Sequence, residues 1–396
     1  MTRRDEPVDF LISFAGGSEF FEVHMAERVA GEGQKLVAWR DLDEVASHYN
    51  CLSSAVDASL ELERLGRKLF GHLFDGAIGP FQRASDTALR DERPLRVLIK
   101  LSYGSPLHRV PWEILHAGGP DFLAKAPRSS VVRYFSATQE VPSFEVAPPL
   151  RILLTSACPA TMDDLNLEAE VAAVRNAYKG FEDLVRMEVE RDVSLDRLED
   201  LWLGAENKKR PFHVWHHCGH GQLEDGPRFE LILERRGQAE YVTVDRLSEI
   251  VSMCPGLKLA ILNVCHSGSL VGLAPELARI NVPVVISFPS KIGNDMALKF
   301  AATLHKCLLE RPVEFAVSQA RKSLRVAEGM DLEWCKPLLF SRRRDGGPIL
   351  PAAAIEPEVE ETGAFSEDEL RLQRERIDQL LATLSNTLGG EEHHEF

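Results

Sequence analysis

The chain has no stretch approaching 18 consecutive apolar residues, so no membrane-crossing helix is expected. Its N-terminus, MTRRDEPVDF, carries no apolar run of signal-peptide length. The seven cysteines (51, 158, 218, 254, 265, 307, 335) are scattered, and none belongs to a Cys-x-x-Cys pair. That odd, unpaired set fits free thiols in a reducing cytoplasm. Positive charge is in deficit, 46 Lys and Arg against 61 Asp and Glu, for a net −15. Such a chain is a poor phosphate-backbone binder, and no nucleic-acid partner is expected. Internal repeats are absent too. What is present is ordinary: 44% hydrophobic and 27% charged residues over 396 positions, a globular chain of about two domains.

The acidity is uneven. Twelve acidic residues against three Arg give residues 351–396 a net −9, leaving −6 for residues 1–350. The tail is therefore a separate object from the body.

Hydrophobic patterning divides the body at the proline-rich segment 142–149. Before it lie a strand at Asp9–Phe14, a long helix over Ser54–Phe74, and strands at Arg96–Leu101 and Ser130–Phe135. After it, strands and helices alternate. Strands are expected at Arg151–Ser156, Leu184–Val189, Phe212–Cys218, Leu257–Val264 and Val282–Phe288, with a hairpin over Phe229–Val244. Helices are expected at Leu167–Tyr178, Ser194–Leu203, Asp245–Met253, Asn294–Leu309 and Val313–Val326. Near-continuous apolar strands between helices predict an α/β fold, a mostly parallel sheet with helices on both faces. Functional residues should then lie at the carboxyl ends of the strands. The expected regions are an N-terminal α/β region (1–148), a second α/β region (149–345), a flexible linker (346–365) and an acidic helical tail (366–396).

Two strand ends carry polar residues suited to chemistry: Trp215-His216-His217-Cys218-Gly219-His220-Gly221 and Asn263-Val264-Cys265-His266-Ser267-Gly268. A thiol has a pKa of about 8.5, so a nucleophilic cysteine needs an imidazole to accept its proton or hold its thiolate. His220 and Cys265, 45 residues apart with a hairpin and a helix between, can sit on adjacent parallel strands. Gly221, lacking a side chain, can bring its N–H close to a substrate, and the Cys265 N–H is the natural second donor for an oxyanion. His217 is the rival base; its plainer role is a buried histidine. Cys158 also ends a strand but has no His-Gly element beside it, so a structural thiol is expected there. Trp112 and Glu113 read best as a core Trp with a paired buried carboxylate. A zinc site built from His213, His216, His217, Cys218 and His220 is not expected, because neighbouring strand residues point to opposite faces and no paired-Cys spacing accompanies them. No cofactor is expected.

His220-Gly221 and Cys265-His266-Ser267-Gly268, with Arg109-Val110-Pro111-Trp112-Glu113-Ile114-Leu115, Val282-Pro283-Val284-Val285-Ile286 and Ala316-Val317-Ser318-Gln319-Ala320-Arg321, resemble the CHAT domains, caspase-like cysteine proteases related to separase. The resemblance runs over about residues 55–342. It implies a caspase-like fold, an N-terminal half that is pseudo-caspase-like, Cys265 as nucleophile, His220 as base, and an oxyanion hole from the Gly221 and Cys265 amides. It implies no third carboxylate. Gln-Ala-Cys-Arg-Gly, the caspase signature, is missing, so an aspartate preference has no support. Metacaspases carry Asp two residues before the Cys, in a pocket for Arg or Lys. Here that position is Asn263, which argues against strong cationic selectivity, although Glu224, Asp225 or Asp295 could supply charge.

The expectation is a cytoplasmic cysteine endopeptidase acting on a specific protein substrate, with an activating or inhibitory protein partner and no membrane partner. The resemblance suggests a bacterial antiviral or cell-death setting. The alternative is a catalytically idle caspase-like scaffold serving as an interaction module; a small-amide hydrolase is the third reading. In the tail, Ser366-Glu367-Asp368-Glu369 fits a capping box ahead of the stripe Leu370, Ile377, Leu380, Leu381, Leu384 and Leu388. A linker of about 20 residues reaches roughly 25 Å, far enough for that helix to dock on the body or on a partner. Deleting residues 351–396 is expected to spare the dyad and change activation or partner recruitment. Basal cleavage, stimulated cleavage and partner pull-down check this; if none of the three changes, the docking idea fails.

Overall fold

A computed structural model describes residues 6–16, 19–27, 31–52, 58–136, 141, 143–163, 165–224, 228–269, 272–280, 282–324, 332–344, 346–351 and 354. Met1–Ile355 forms one compact unit; Glu356–Phe396 forms a second, none of whose residues is described. The expected tail helix therefore lies outside the described residues.

The chain opens with β1 (Val8–Gly16), β2 (Phe20–Glu27), β3 (Gly31–Ala38), α1 (Trp39–Cys51), α2 (Ala58–Phe74), α3 (Gly79–Arg90), β4 (Leu95–Lys100) and β5 (Ser129–Tyr134). It continues with β6 (Leu150–Ser156), α4 (Leu167–Ala177), β7 (Val185–Glu190), α5 (Leu195–Asn207), β8 (Val214–Glu224), β9 (Arg228–Arg235) and β10 (Gln238–Thr243). Then come α6 (Val244–Ser252), β11 (Leu259–Val264), α7 (Leu273–Arg279), β12 (Val284–Ser287), α8 (Asn294–Leu308), α9 (Val313–Ser323) and β13 (Leu338–Ser341).

Among the described residues these strands form one sheet in two parallel blocks. The first block, β7-β6-β8-β11-β12, is parallel throughout. The second, β13-β5-β4-β1, is also parallel, and β2 and β3 continue it antiparallel. The blocks meet at the antiparallel pair β12–β13. β8 is long: its first half pairs with β6 and β11, while His220–Glu224 leave that layer and pair with β9, which pairs in turn with β10.

The central strands are apolar on both faces because both faces are covered. Their period-two alternation sorts side chains into two cores. Ile152, Leu154, Leu259, Ile261, Val284 and Ile286 join one core with α2, α4, α8 and α9. Leu153, Trp215, Ala260, Leu262 and Val285 join the other with α5, α6 and α7.

The α/β expectation holds, and the expected strands and helices recur within the described residues, most with shifted ends; residues 54–57 and 325–326 of two expected helices lie outside those residues. Six described elements have no counterpart in it: β2, β3, α1, α3, α7 and β13. β13 is only four residues long, too short for its pattern to mark it, yet it is the strand that joins the two blocks. Residues expected in linkers are also ordered. Phe144, Val146, Ile349 and Leu350 are buried, and the Val146 N–H donates to the Ile349 carbonyl at 2.9 Å.

The Pro-Trp-Glu segment is structural. Trp112 is fully buried and donates from Nε1 to the Leu107 carbonyl at 3.0 Å. Glu113 accepts two hydrogen bonds from the Arg133 guanidinium, at 2.9 and 2.7 Å, with Arg321 at 3.9 Å. Replacing Glu113 with Gln would leave two buried guanidinium groups short of a counter-charge. A loss of about 3–5 kcal/mol in unfolding free energy is expected by urea denaturation. A loss under about 1 kcal/mol would mean that the carbonyls of His108 and Val110, which also accept from Arg133, suffice.

Candidate active site

The parallel register of β8 and β11 sets Gly219 opposite Val264. One step further on each strand lie His220 and Cys265, and both line one cavity of about 780 Å³. Alternation puts them on the same face. His216, Cys218 and His220 project to the side of α4 and α8, as do Asn263 and Cys265. Asn263 and Asp295 line the same cavity. Asp225 lies outside the described residues, as does the side chain of Glu224.

The His220 ring is oriented by backbone. Its Nε2 is 2.9 Å from the carbonyl oxygen of Asp163, in the loop between β6 and α4. A carbonyl can only accept, so Nε2 carries the proton and Nδ1 keeps the lone pair. The fixed tautomer thus comes from a main-chain group, and no carboxylate is needed for it.

The turn after β11 is held as tightly. Ser267 Oγ donates to the Val264 carbonyl at 2.8 Å and accepts from the Phe288 N–H at 3.3 Å. The Gly268 N–H donates to the Phe288 carbonyl at 2.9 Å. A Cβ on Gly268 would come within 2.8 Å of Ser287 Oγ, so the turn can lie against β12 only with glycine there. His266 takes a left-handed φ of 62° and lines the cavity. Gly221 is equally constrained: a Cβ there would lie 2.7 Å from the Cys265 carbonyl oxygen and 2.6 Å from Val264 Cγ1. Burial pushes the Cys265 thiol above its ordinary pKa, against the opposing pull of the Ile292 N–H and the charges of Lys291 and Lys336.

His217 points the other way. It is fully buried, hydrogen-bonded through Nδ1 to Thr155 Oγ1 at 2.8 Å, and Trp215 Nε1 donates to the same hydroxyl at 2.9 Å. Burial, with the neighbouring charge of His216, drives its pKa down to about 3. Cys158 departs from expectation: it has a histidine after all, its Sγ lying 3.8 Å from His220 Nε2, and it donates to the Asp163 carbonyl at 3.4 Å.

Sequence reasoning missed Glu170. This buried carboxylate on α4 lines the cavity beneath the two strand ends. Asn263 Nδ2 donates to both its oxygens, at 2.7 and 2.8 Å, and His216 Nε2 lies 3.0 Å from Oε1. Burial raises its carboxyl pKa, but the hydrogen bond and charge of His216 and the hydrogen bonds of Asn263 and Cys218 outweigh that and leave it below its ordinary value. The position expected to lack an acid therefore presents one through its partner. No local sequence signal marks Glu170, because it sits on a helix 93 residues before Asn263. Glu170, His216 and Cys218 also form the group of side chains, among the described residues, that could hold a metal ion.

No curated protein matches the chain in sequence. The solved structure of the separase–securin complex of Saccharomyces cerevisiae is 11% identical, with a TM-score of 0.49, over 85% of this chain and 30% of that one. A secreted C11 cysteine protease from Bacteroides thetaiotaomicron, solved with an irreversible peptide inhibitor, is 13% identical, with a TM-score of 0.33, over 45% of this chain and 58% of that one. The Drosophila initiator caspase Dronc is 8% identical, with a TM-score of 0.36, over 54% of this chain and 87% of that one. The chain thus spans under two thirds of the first two. The family profile described as the CHAT domain matches residues 63–360, most of the chain, and the chain belongs to the CHAT domain family.

Proposed function

We propose that the chain is a cysteine endopeptidase that cuts a specific protein substrate with a Cys265–His220 dyad. The observation that supports this reading is the meeting of the two strand ends at one cavity, with the Asp163 carbonyl holding the His220 ring. In this mechanism His220 Nδ1 takes the thiol proton, and Cys265 Sγ attacks the scissile carbonyl carbon. The displaced electron pair moves onto the carbonyl oxygen, where the Gly221 and Cys265 N–H groups receive it. The imidazolium gives its proton to the leaving amine as the C–N bond breaks, and a thioester remains on Cys265. Water, losing a proton to His220, then attacks the thioester; collapse expels the thiolate, which takes that proton back from His220 and restores the starting thiol and imidazole.

Asn263 and Asp295 are the substrate-pocket residues in this reading, joined by Glu170. The division into a pseudo-caspase-like region (1–148) and a protease region (149–345), the cytoplasmic location, an activating or inhibitory protein partner and the antiviral or cell-death setting rest on the sequence and the family resemblance. Among the described residues no helix is long and apolar enough to cross a membrane.

Cys265→Ala is expected to abolish cleavage of the substrate and leave folding intact, whereas retained proteolysis would remove Cys265 as the nucleophile. His220→Ala should lose several orders of magnitude in rate and His217→Ala less. The reverse order would identify the buried histidine as the base. A thiol-alkylating peptidyl probe that fails to label Cys265 in the intact protein would favour the idle scaffold. In the free protein, alkylation of Cys265 by iodoacetamide should still be rising with pH at about 8.5, because burial holds the thiol above its ordinary value. Peptide mass mapping across a pH series reads this, and a plateau below neutral pH would mean that a thiolate is already held.

A further inference from the structure

A second cluster lies beside the dyad; none of its side chains makes or breaks a bond in the proposed cleavage, although Glu170 and Cys218 line the same cavity. Glu170, His216 and Cys218 offer one carboxylate oxygen, one imidazole nitrogen and one sulfur, all within 4.8 Å of one another and all buried. Two of the three follow from β8 itself. His216 and Cys218 are two residues apart on a strand and so share a face, while His217 between them turns away. The third ligand arrives from the first turn of α4. Alternation keeps His217 off this face, yet it leaves His216 and Cys218 free to meet an acid from elsewhere in the fold.

We infer that Glu170, His216 and Cys218 form a three-ligand site for a divalent transition metal of the zinc class, its fourth coordination position open to the cavity that His220 and Cys265 line. A mixed sulfur, nitrogen and oxygen set suits zinc, and three protein ligands with one open position is a recurrent zinc arrangement. Glu170 and Cys218 line the cavity, which gives the ion a way in. Ligand atoms of a tetrahedral zinc lie roughly 3.3–3.6 Å apart, so atoms now within 4.8 Å of one another must close by at most about 1.2–1.5 Å.

The groups behind the ligands have the form such a site needs. A metal on His216 Nε2 requires the proton on Nδ1. His216 Nδ1 is 2.8 Å from His305 Nε2, and His305 Nδ1 is 2.7 Å from the Tyr178 hydroxyl. The chain can run with His216 donating to His305 and His305 donating to Tyr178, so each ring nitrogen has its role filled. Asn263 holds the carboxylate from the other side. Glu170 is paired with His216, Asn263 and the Cys218 thiol, groups without a permanent positive charge, and a divalent ion would supply one. On binding, the thiol gives its proton to solvent and sulfur donates an electron pair. The neutral imidazole donates its lone pair, and the carboxylate is already ionised. One proton is released per ion, or two where His216 starts as imidazolium.

The test is a cobalt(II) titration of the full chain under reducing conditions. The expected result is one ion per chain, with visible bands of tetrahedral cobalt and a near-ultraviolet thiolate-to-cobalt band. Cys218→Ser should remove the thiolate band, and Glu170→Gln should weaken binding. His305→Phe, which removes only the group behind His216, should weaken it about 10–100-fold. The Cys158→Ser/Cys265→Ser double variant should keep the thiolate band, since it takes away the two other thiols near His220. Absence of the band in the wild-type chain overturns the site. So does its loss in the double variant, which would put the ion on the dyad instead. Should Cys218→Ser fail to fold, the double variant and His305→Phe decide between the same outcomes. None of these readouts uses proteolysis, so the site stands or falls apart from the peptidase reading.

Discussion

The site depends on one backbone constraint, the parallel pairing of β8 with β11. With Gly219 set opposite Val264, the two strands end at the same height, and the next residue on each is the histidine or the cysteine. A one-residue slip would turn one of the two side chains to the other face of the sheet. Glycine at 221 and 268 preserves that close approach, since any Cβ would meet main chain or β12. Parallel strands bury both faces, and apolar burial on two sides resists such a slip. The register is thus held by the two cores and not by contacts within the site.

Those cores also explain how each polar residue near the site is used. On one face the alternation sets His216, Cys218 and Asn263 beneath the cavity, where Glu170 reaches them from α4. On the other it buries His217 against Thr155 and Trp215, where desolvation keeps the ring neutral. The neighbouring histidines 216 and 217 therefore have separate fates through strand geometry alone. Elsewhere the buried charges are paired: Arg96 with Asp9 and Glu314, and Arg133 with Glu113. Arg96 thereby ties β4 to β1 and α9, while Glu113 and Arg133 line a second cavity together with Gly268 and Ser269 of the turn after Cys265.

What was legible in the sequence was local. Apolar runs marked the central strands, helical spacing marked α2, α4 and α8, and the two glycine-containing strand ends pointed to His220 and Cys265. Trp112 and Glu113 could be read as core because a carboxylate beside a tryptophan in an apolar segment needs a buried partner. β13 was not legible, because four residues carry too little pattern, and neither were the ordered residues around Ile349.

By itself, then, the sequence determined the α/β class and the order of its longer, clearly patterned elements, since periodicity and turn residues act between near neighbours along the chain. It also determined which residues could carry thiol chemistry, because strand ends and glycines are local features. Only the tertiary structure decided that Asp163 would orient His220 through a carbonyl, that Cys158 would approach the same ring, and that Glu170 would stand under Asn263. A main-chain oxygen has no signature in the sequence. The partners of Glu170 are brought together by the packing of α4 and α8 on one sheet face, over separations that no local pattern spans.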